Sequence, residues 1–161
     1  MKRILCIFLA GALLLGLAAC RSISKAERTI KTRAGIDLDL TGCRIMSETD
    51  THGGFLGDGE YLLVLDCSGN EEKILAQIGE WPAFPLSDNL REVLYEWKIA
   101  EKNGIPQISS GAWYFTDRFA DEAAALDRHS DASLLSRPAE NFSLLLYDAE
   151  HSRLYYYEMD T

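Results

Sequence analysis

Positive charge is scarce in this chain: 16 Lys and Arg stand against 25 Asp and Glu, a formal net charge of −9 over 161 residues. A phosphate-binding surface needs a basic patch that such a balance does not supply, so the expectation is no nucleic-acid partner. Cysteine is also sparse, with four residues, which excludes a small scaffold packed by disulfides. Catalytic signatures are missing: the sequence has no G-x-S-x-G, no H-E-x-x-H, no C-x-x-C and no phosphate loop. Nor does any uninterrupted apolar run reach the roughly 20 residues that a membrane-spanning helix needs. What remains is 47% hydrophobic and 25% charged, the composition of one ordinary folded domain.

The N-terminus has the organisation of an export signal. Lys2 and Arg3 precede an uncharged stretch from Ile4 to Ala19 that contains Gly11 and Gly16 and ends at the small pair Ala18-Ala19. The following residues, Leu17-Ala18-Ala19-Cys20, resemble the lipobox of bacterial lipoproteins at all four positions. The resemblance implies removal of residues 1–19, a diacylglyceryl thioether on the Cys20 sulfur, and anchoring of the mature chain on the extracytoplasmic face of a cell membrane, with palmitate-type acyl chains holding it in the lipid. A plain secretory signal with an incidental cysteine is the rival reading.

Loss of residues 1–19 removes Lys2 and Arg3 and no carboxylate, so the formal charge becomes −11. Residues 21–33 carry +4 of this balance and residues 34–161 carry −15. Basic residues beside an anchor are attracted to anionic headgroups, while an acidic body is repelled. A solvated helix face with no membrane role would show the same charges.

Residues 20–34 read as a tether and helix. Ser24 and Glu27 have capping-box spacing, and Gly35 follows the last helical residue as a left-handed stop. Residues 35–161 read as a single α+β domain. Two β-type runs, Cys43 to Thr51 and Glu60 to Cys67, flank a loop with four glycines. A register in which residue numbers sum to 110 sets Arg44 against Asp66, Met46 against Val64 and Cys43 against Cys67. Helical spacing returns after Asn70 and after Ser87, the latter a good N-cap. Between them Trp81-Pro-Ala-Phe-Pro-Leu86 is an extended aromatic loop, because each proline disfavours helix in the residue before it. A third strand is expected over Gly111 to Arg118, a short helix over Ala120 to Arg128, and a final hairpin of Phe142 to Tyr147 with Arg153 to Met159. Together these give an antiparallel sheet of about five strands in hairpins, with helices packed on one face.

The stretch Asp50-Thr-His-Gly-Gly-Phe-Leu-Gly-Asp-Gly-Glu60 and the ending Tyr155-Tyr-Tyr-Glu-Met-Asp-Thr161 are similar to an uncharacterised small domain of Gram-positive cell-envelope proteins. That resemblance implies no activity.

Few constellations carry chemistry. Cys43 and Cys67 are the body's two cysteines, and an oxidising compartment leaves open a disulfide or two buried thiols. In the register above, Asp50, His52, Asp58 and Glu60 share one face at the hairpin tip, a donor set able to hold a divalent cation, although the same residue types serve glycine-rich turns equally well. The solvated turn is the expectation, with no metal or cofactor. Ser22-Ile-Ser-Lys25 and Ser87-Asp-Asn89 match two elements of the penicillin-recognising enzymes, but K-T-G is absent and the chain is too short for that fold. His129 and His151 fall in polar turns. Trp81 and Phe84 either dock a protein partner or cover one end of the sheet. The expected function is a lipid-anchored binding or structural module of unknown ligand, with membrane lipid as partner through Cys20. A small tethered hydrolase or metal-dependent enzyme using His52, and a tethered inhibitor or immunity-type protein, are the alternatives.

Overall fold

The computed structural model describes residues 23–53, 57–119 and 127–161. The signal, Cys20 and the core of the expected 120–128 helix therefore lie outside the described residues. A helix, α1, covers residues 23–34. It is followed by β1 (Arg44–Asp50), β2 (Gly59–Asp66), α2 (Glu71–Gln77), α3 (Asp88–Arg91) continuing as a π turn through Glu96, α4 (Ile99–Asn103), β3 (Gly111–Asp117), β4 (Phe142–Asp148) and β5 (Arg153–Asp160). The strands form one antiparallel sheet of order β1-β2-β5-β4-β3. This is the expected α+β architecture.

Strand alternation divides the core. Tyr61, Leu63, Leu65, Leu145, Tyr147, Leu154 and Tyr156 pack with Ala26, Ile30 and Ala34 of α1 and with Ile74 of α2. The alternate residues Leu62, Leu144, Leu146, Tyr155 and Tyr157 pack with Leu90, Val93 and Leu94 of α3 and its π turn, and with Ile99 and Ala100 of α4. The cover is thus not confined to one face. The reason is legible in β2, β4 and β5, which are apolar at consecutive positions and need shelter on both sides.

Local chemistry sets the boundaries. Gly35 ends α1 with φ of +73°, a conformation costly for a residue with a Cβ. The capping box does not form: α1 already includes Ile23, and the Glu27 carboxylate instead accepts from the Leu40 backbone at 2.9 Å. Ser87 does cap α3, its Oγ accepting from the Leu90 N–H at 3.3 Å. Gly111 is required by close approach, since a Cβ there would sit 1.8 Å from the Tyr147 carbonyl oxygen.

The first hairpin keeps the sum-110 register only at its base, where Arg44 pairs with Asp66 and Ile45 with Leu65. A β-bulge at Met46 then shifts the pairing, so that Ser47, not Met46, opposes Val64 and Asp50 opposes Tyr61. The extra residue lets Thr51 close the ladder: its N–H donates to the Glu60 carbonyl at 2.9 Å and its Oγ1 accepts from the Glu60 N–H at 2.9 Å. Just below the first pair, Cys43 and Cys67 form a disulfide with Cα atoms 4.3 Å apart.

Candidate functional site

The bulge decides the fate of the four hairpin-tip residues. Because one residue is inserted in β1, the expected shared face is lost. Glu60 turns to the α4 side, where it accepts from Lys102 at 2.6 Å and Asn103 at 2.9 Å. Asp58 is exposed and contributes a backbone carbonyl to Gly53. Only Asp50 and His52 stay together, with His52 Nδ1 2.7 Å from Asp50 Oδ1. Among the described residues, no group of three or more His, Cys, Asp or Glu side chains is placed to hold a metal ion.

His52 instead enters a network on the α1 face of the sheet. Its Nε2 lies 3.0 Å from Asp160 Oδ2, and the other Asp160 oxygen accepts from Arg118. Arg118 also donates to Ser143 Oγ at 2.6 Å, the Met159 carbonyl at 3.1 Å and Glu158 Oε1 at 2.9 Å. Glu158, whose side chain is 0% exposed, is held from the helix side by Arg33 and accepts a further bond from Tyr156 OH. The Arg33 guanidinium in turn stands 5.6 Å from the Tyr61 ring centroid, and Tyr61 OH donates to Glu48 at 3.0 Å. Close by, Thr116 Oγ1 donates to the Ala34 carbonyl at 3.0 Å, satisfying one of the open acceptors at the end of α1.

The electrostatics follow from this packing. Burial pushes the Tyr156 phenol up, and the Glu158 charge adds to it. Burial would raise Asp50, but hydrogen bonds from the His52 ring and backbone, with the charges of His52 and Arg33, bring it below the usual carboxylate range. The network joins five separate pieces: α1, the hairpin tip, the end of β3, the start of β4 and the end of β5. A buried charge set of this kind is tolerable because its members are paired and hydrogen-bonded. As chemistry it is closed. A general base must face a substrate proton with a lone pair, whereas both His52 nitrogens meet carboxylates of the same chain.

Sequence reasoning missed Arg33, Arg118, Ser143, Tyr156, Glu158 and Asp160 as a unit. One signal was available: Glu158 shares strand parity with Leu154 and Tyr156, so a carboxylate was due on an interior face and needed cationic partners.

The remaining candidates resolve into structural roles. Ser87 is a helix cap, and Asn89 Nδ2 donates to the Asp131 carbonyl at 3.0 Å, so the S-D-N match is accounted for. Lys25 pairs with Glu48 at 2.8 Å. The Trp81–Leu86 loop is zipped to the outer edge of β3: Trp113 N–H donates to the Pro82 carbonyl at 2.9 Å, Phe84 N–H to the Gly111 carbonyl at 3.2 Å, and Trp81 packs on Tyr114 with centroids 5.4 Å apart. His129 Nδ1 lies 3.2 Å from the Phe115 carbonyl and His151 Nδ1 2.8 Å from Asp148. A cleft of about 550 Å³ lined by Glu27, Asp37, Leu38, Asp39, Thr41 and Gln77 lies between α1 and α2, its carboxylates already bonded to Leu40, Lys31 and Lys73.

Comparison with known proteins finds no matching family, no matching curated protein and no matching solved structure.

Proposed function

We propose that this chain is a lipid-anchored extracytoplasmic module that binds or organises a partner and catalyses nothing. The observation that carries the reading is the closed state of the polar network around His52, in which both His52 nitrogens and the Glu158 carboxylate are used to join helix, hairpin and sheet. The Cys43–Cys67 disulfide supports residence in an oxidising compartment, and the lipobox residues ending at Cys20 support the anchor. A tethered inhibitor or immunity-type protein is the second reading, favoured by the −15 balance of residues 34–161, which suits a basic target.

Two experiments test this. Replacing Cys20 with Ala is expected to abolish acyl labelling and leave an uncleaved precursor; normal processing with detergent-phase partitioning of that variant refutes the anchor. Crosslinking at the native cell surface, followed by identification of the captured protein, is expected to return a discrete partner. Turnover of a hydrolysable substrate that is lost on His52→Ala would overturn the non-catalytic reading.

A further inference from the structure

Helix α1 is the segment nearest the proposed anchor, and it is not a flexible leash. Ala26, Ile30 and Ala34 are buried in the core, and the helix is further held by Glu27 on Leu40, Arg33 on Glu158 and Thr116 on its last carbonyl. Only Arg21 and Ser22 stand between Cys20 and the first described helical residue. At roughly 3.3–3.6 Å of reach per residue, Cys20 lies within about 11 Å of Ile23 however the chain runs. The body is therefore kept against whatever surface holds Cys20.

The helix also presents a definite face to that surface. At about 100° per residue, Ala26, Ile30 and Ala34 define the inward line, and Arg28 and Thr32 lie opposite, flanked by Lys25 and Lys31. Lys25 and Lys31 are 68% and 61% exposed. Their partners Glu48 and Asp37 are pairs at the surface, which contribute little and exchange readily. Arg28 has no ion pair among the described residues. The apolar side of α1 is consumed by the sheet, so the exposed side can meet a bilayer only through charge. The rest of the body is strongly acidic and repelled by the same surface.

We propose that the Lys25, Arg28 and Lys31 face of α1 lies on anionic phospholipid headgroups of the membrane that holds Cys20, turning α3 and α4 on the opposite side of the sheet away from the bilayer. This rests on the lipid-anchor reading. Each basic residue near an anionic surface shifts the balance by roughly fivefold at moderate salt. Neutralising two of them lowers the ratio of docked to undocked molecules by about 25-fold, replacement of the anionic lipid removes the contribution of all three, about 125-fold, and high salt weakens docking by screening.

The test uses the acylated chain from Cys20 to Thr161, which lacks Cys6, reconstituted into vesicles. With Cys20 acylated and Cys43 bonded to Cys67, Thr32→Cys or Glu92→Cys introduces one reactive thiol, on the α1 face or on the far side. Energy transfer from a fluorophore at that thiol to headgroup-labelled lipid is then compared. In vesicles of mixed phosphatidylcholine and phosphatidylglycerol, transfer is expected to be stronger from position 32 than from position 92. The difference is expected to collapse in pure phosphatidylcholine, in molar salt, and in Arg28→Gln/Lys31→Gln, whose melting curve should match the parent. Equal transfer from both positions in anionic vesicles, or a difference indifferent to lipid charge, overturns the proposal. Failure of the anchor reading is seen separately: the chain then does not associate with pure phosphatidylcholine, and Cys20 itself takes the label.

Discussion

Breaking the Cys43–Cys67 bond perturbs this fold in a way that can be worked through from chain length. The two cysteines are separated by 24 positions, and the enclosed segment holds β1, the glycine-rich loop and β2. Cross-linking a loop of about 25 residues removes close to 12 cal/mol/K from the unfolded ensemble, or about 3.5 kcal/mol at room temperature. A domain of this size has a total stability of about 5–15 kcal/mol, so the bond accounts for a quarter or more of it. With roughly 2.1 cal/mol/K of unfolding entropy per residue over residues 23–161, the melting temperature should fall by about 12 °C. Cys67 is wholly buried, so reductant alone acts slowly. The comparison is therefore the Cys43→Ala/Cys67→Ala protein against wild type by urea titration and calorimetry, with wild type reduced in denaturant and refolded under reductant as the second arm. Both arms should agree. A loss below about 1 kcal/mol in both, or two titratable thiols in the unfolded wild-type body, would refute the argument.

Three other outcomes are expected. Glu158→Gln should cost about 1.5–3 kcal/mol in urea titrations, because Arg33 and Arg118 both lose a charged acceptor and Arg118 keeps only Asp160; Glu158 keeps Arg118 when Arg33 is removed, so Arg33→Ala should cost less, and the reverse order would contradict this pairing. Burial, with the charges of Glu48, Glu158 and Glu60, raises the phenols of Tyr61, Tyr156 and Tyr157. The folded state then keeps protons that the unfolded chain releases from about pH 10, so stability falls as pH climbs beyond that point. Phenolate absorbance for these three should appear together with loss of circular dichroism, and smooth ionisation of all seven tyrosines in a folded protein would count against it. Melting curves in EDTA and in excess zinc, calcium or manganese should coincide, because a ligand at 100 times its dissociation constant adds about 2.7 kcal/mol; a shift of several degrees that vanishes in His52→Ala would return the hairpin tip to consideration as a metal site.

Strand positions were legible from the sequence because β2, β4 and β5 are uniform: Tyr61-Leu-Leu-Val-Leu and Leu154-Tyr-Tyr-Tyr are β-type residues without a competing helical period. Ser87 announced its helix because a cap acts on residues close in sequence. The Met46 bulge was illegible, since charge matching of Arg44 with Asp66 constrains only the base of the hairpin and says nothing about an extra residue above it. That single insertion rearranged the candidate site, sending Glu60 to one face and leaving Asp50 and His52 on the other. The partners of His52 were equally hidden. Asp160 and Arg118 come to it from distant parts of the chain, and no local pattern reports a long-range contact. The helix after Ser87 was expected but not its place on the second face, and α4 was missed altogether: it is short, follows Lys98 in a left-handed conformation, and has too few residues to show a period.

The sheet order has a temporal consequence. β1 and β2 form one hairpin and β3, β4 and β5 form a meander, and among the described residues their strands pair with each other only along the β2–β5 seam from Gly59 opposite Asp160 to Asp66 opposite Arg153. A nascent chain thus carries a complete, disulfide-closable hairpin whose apolar inner edge stays open until the whole of β5 has been made. During that interval Tyr61 to Leu65 is a free edge, competent to pair with any extended strand, including the β5 of another copy. Exchange of the hairpin between two molecules would rebuild every rung of the seam with no new kind of contact, the condition under which domain swapping is cheapest. Crowding of freshly made chains is thus the circumstance in which this fold is most exposed to misassembly, and the seam is the place where a swapped dimer would be recognised.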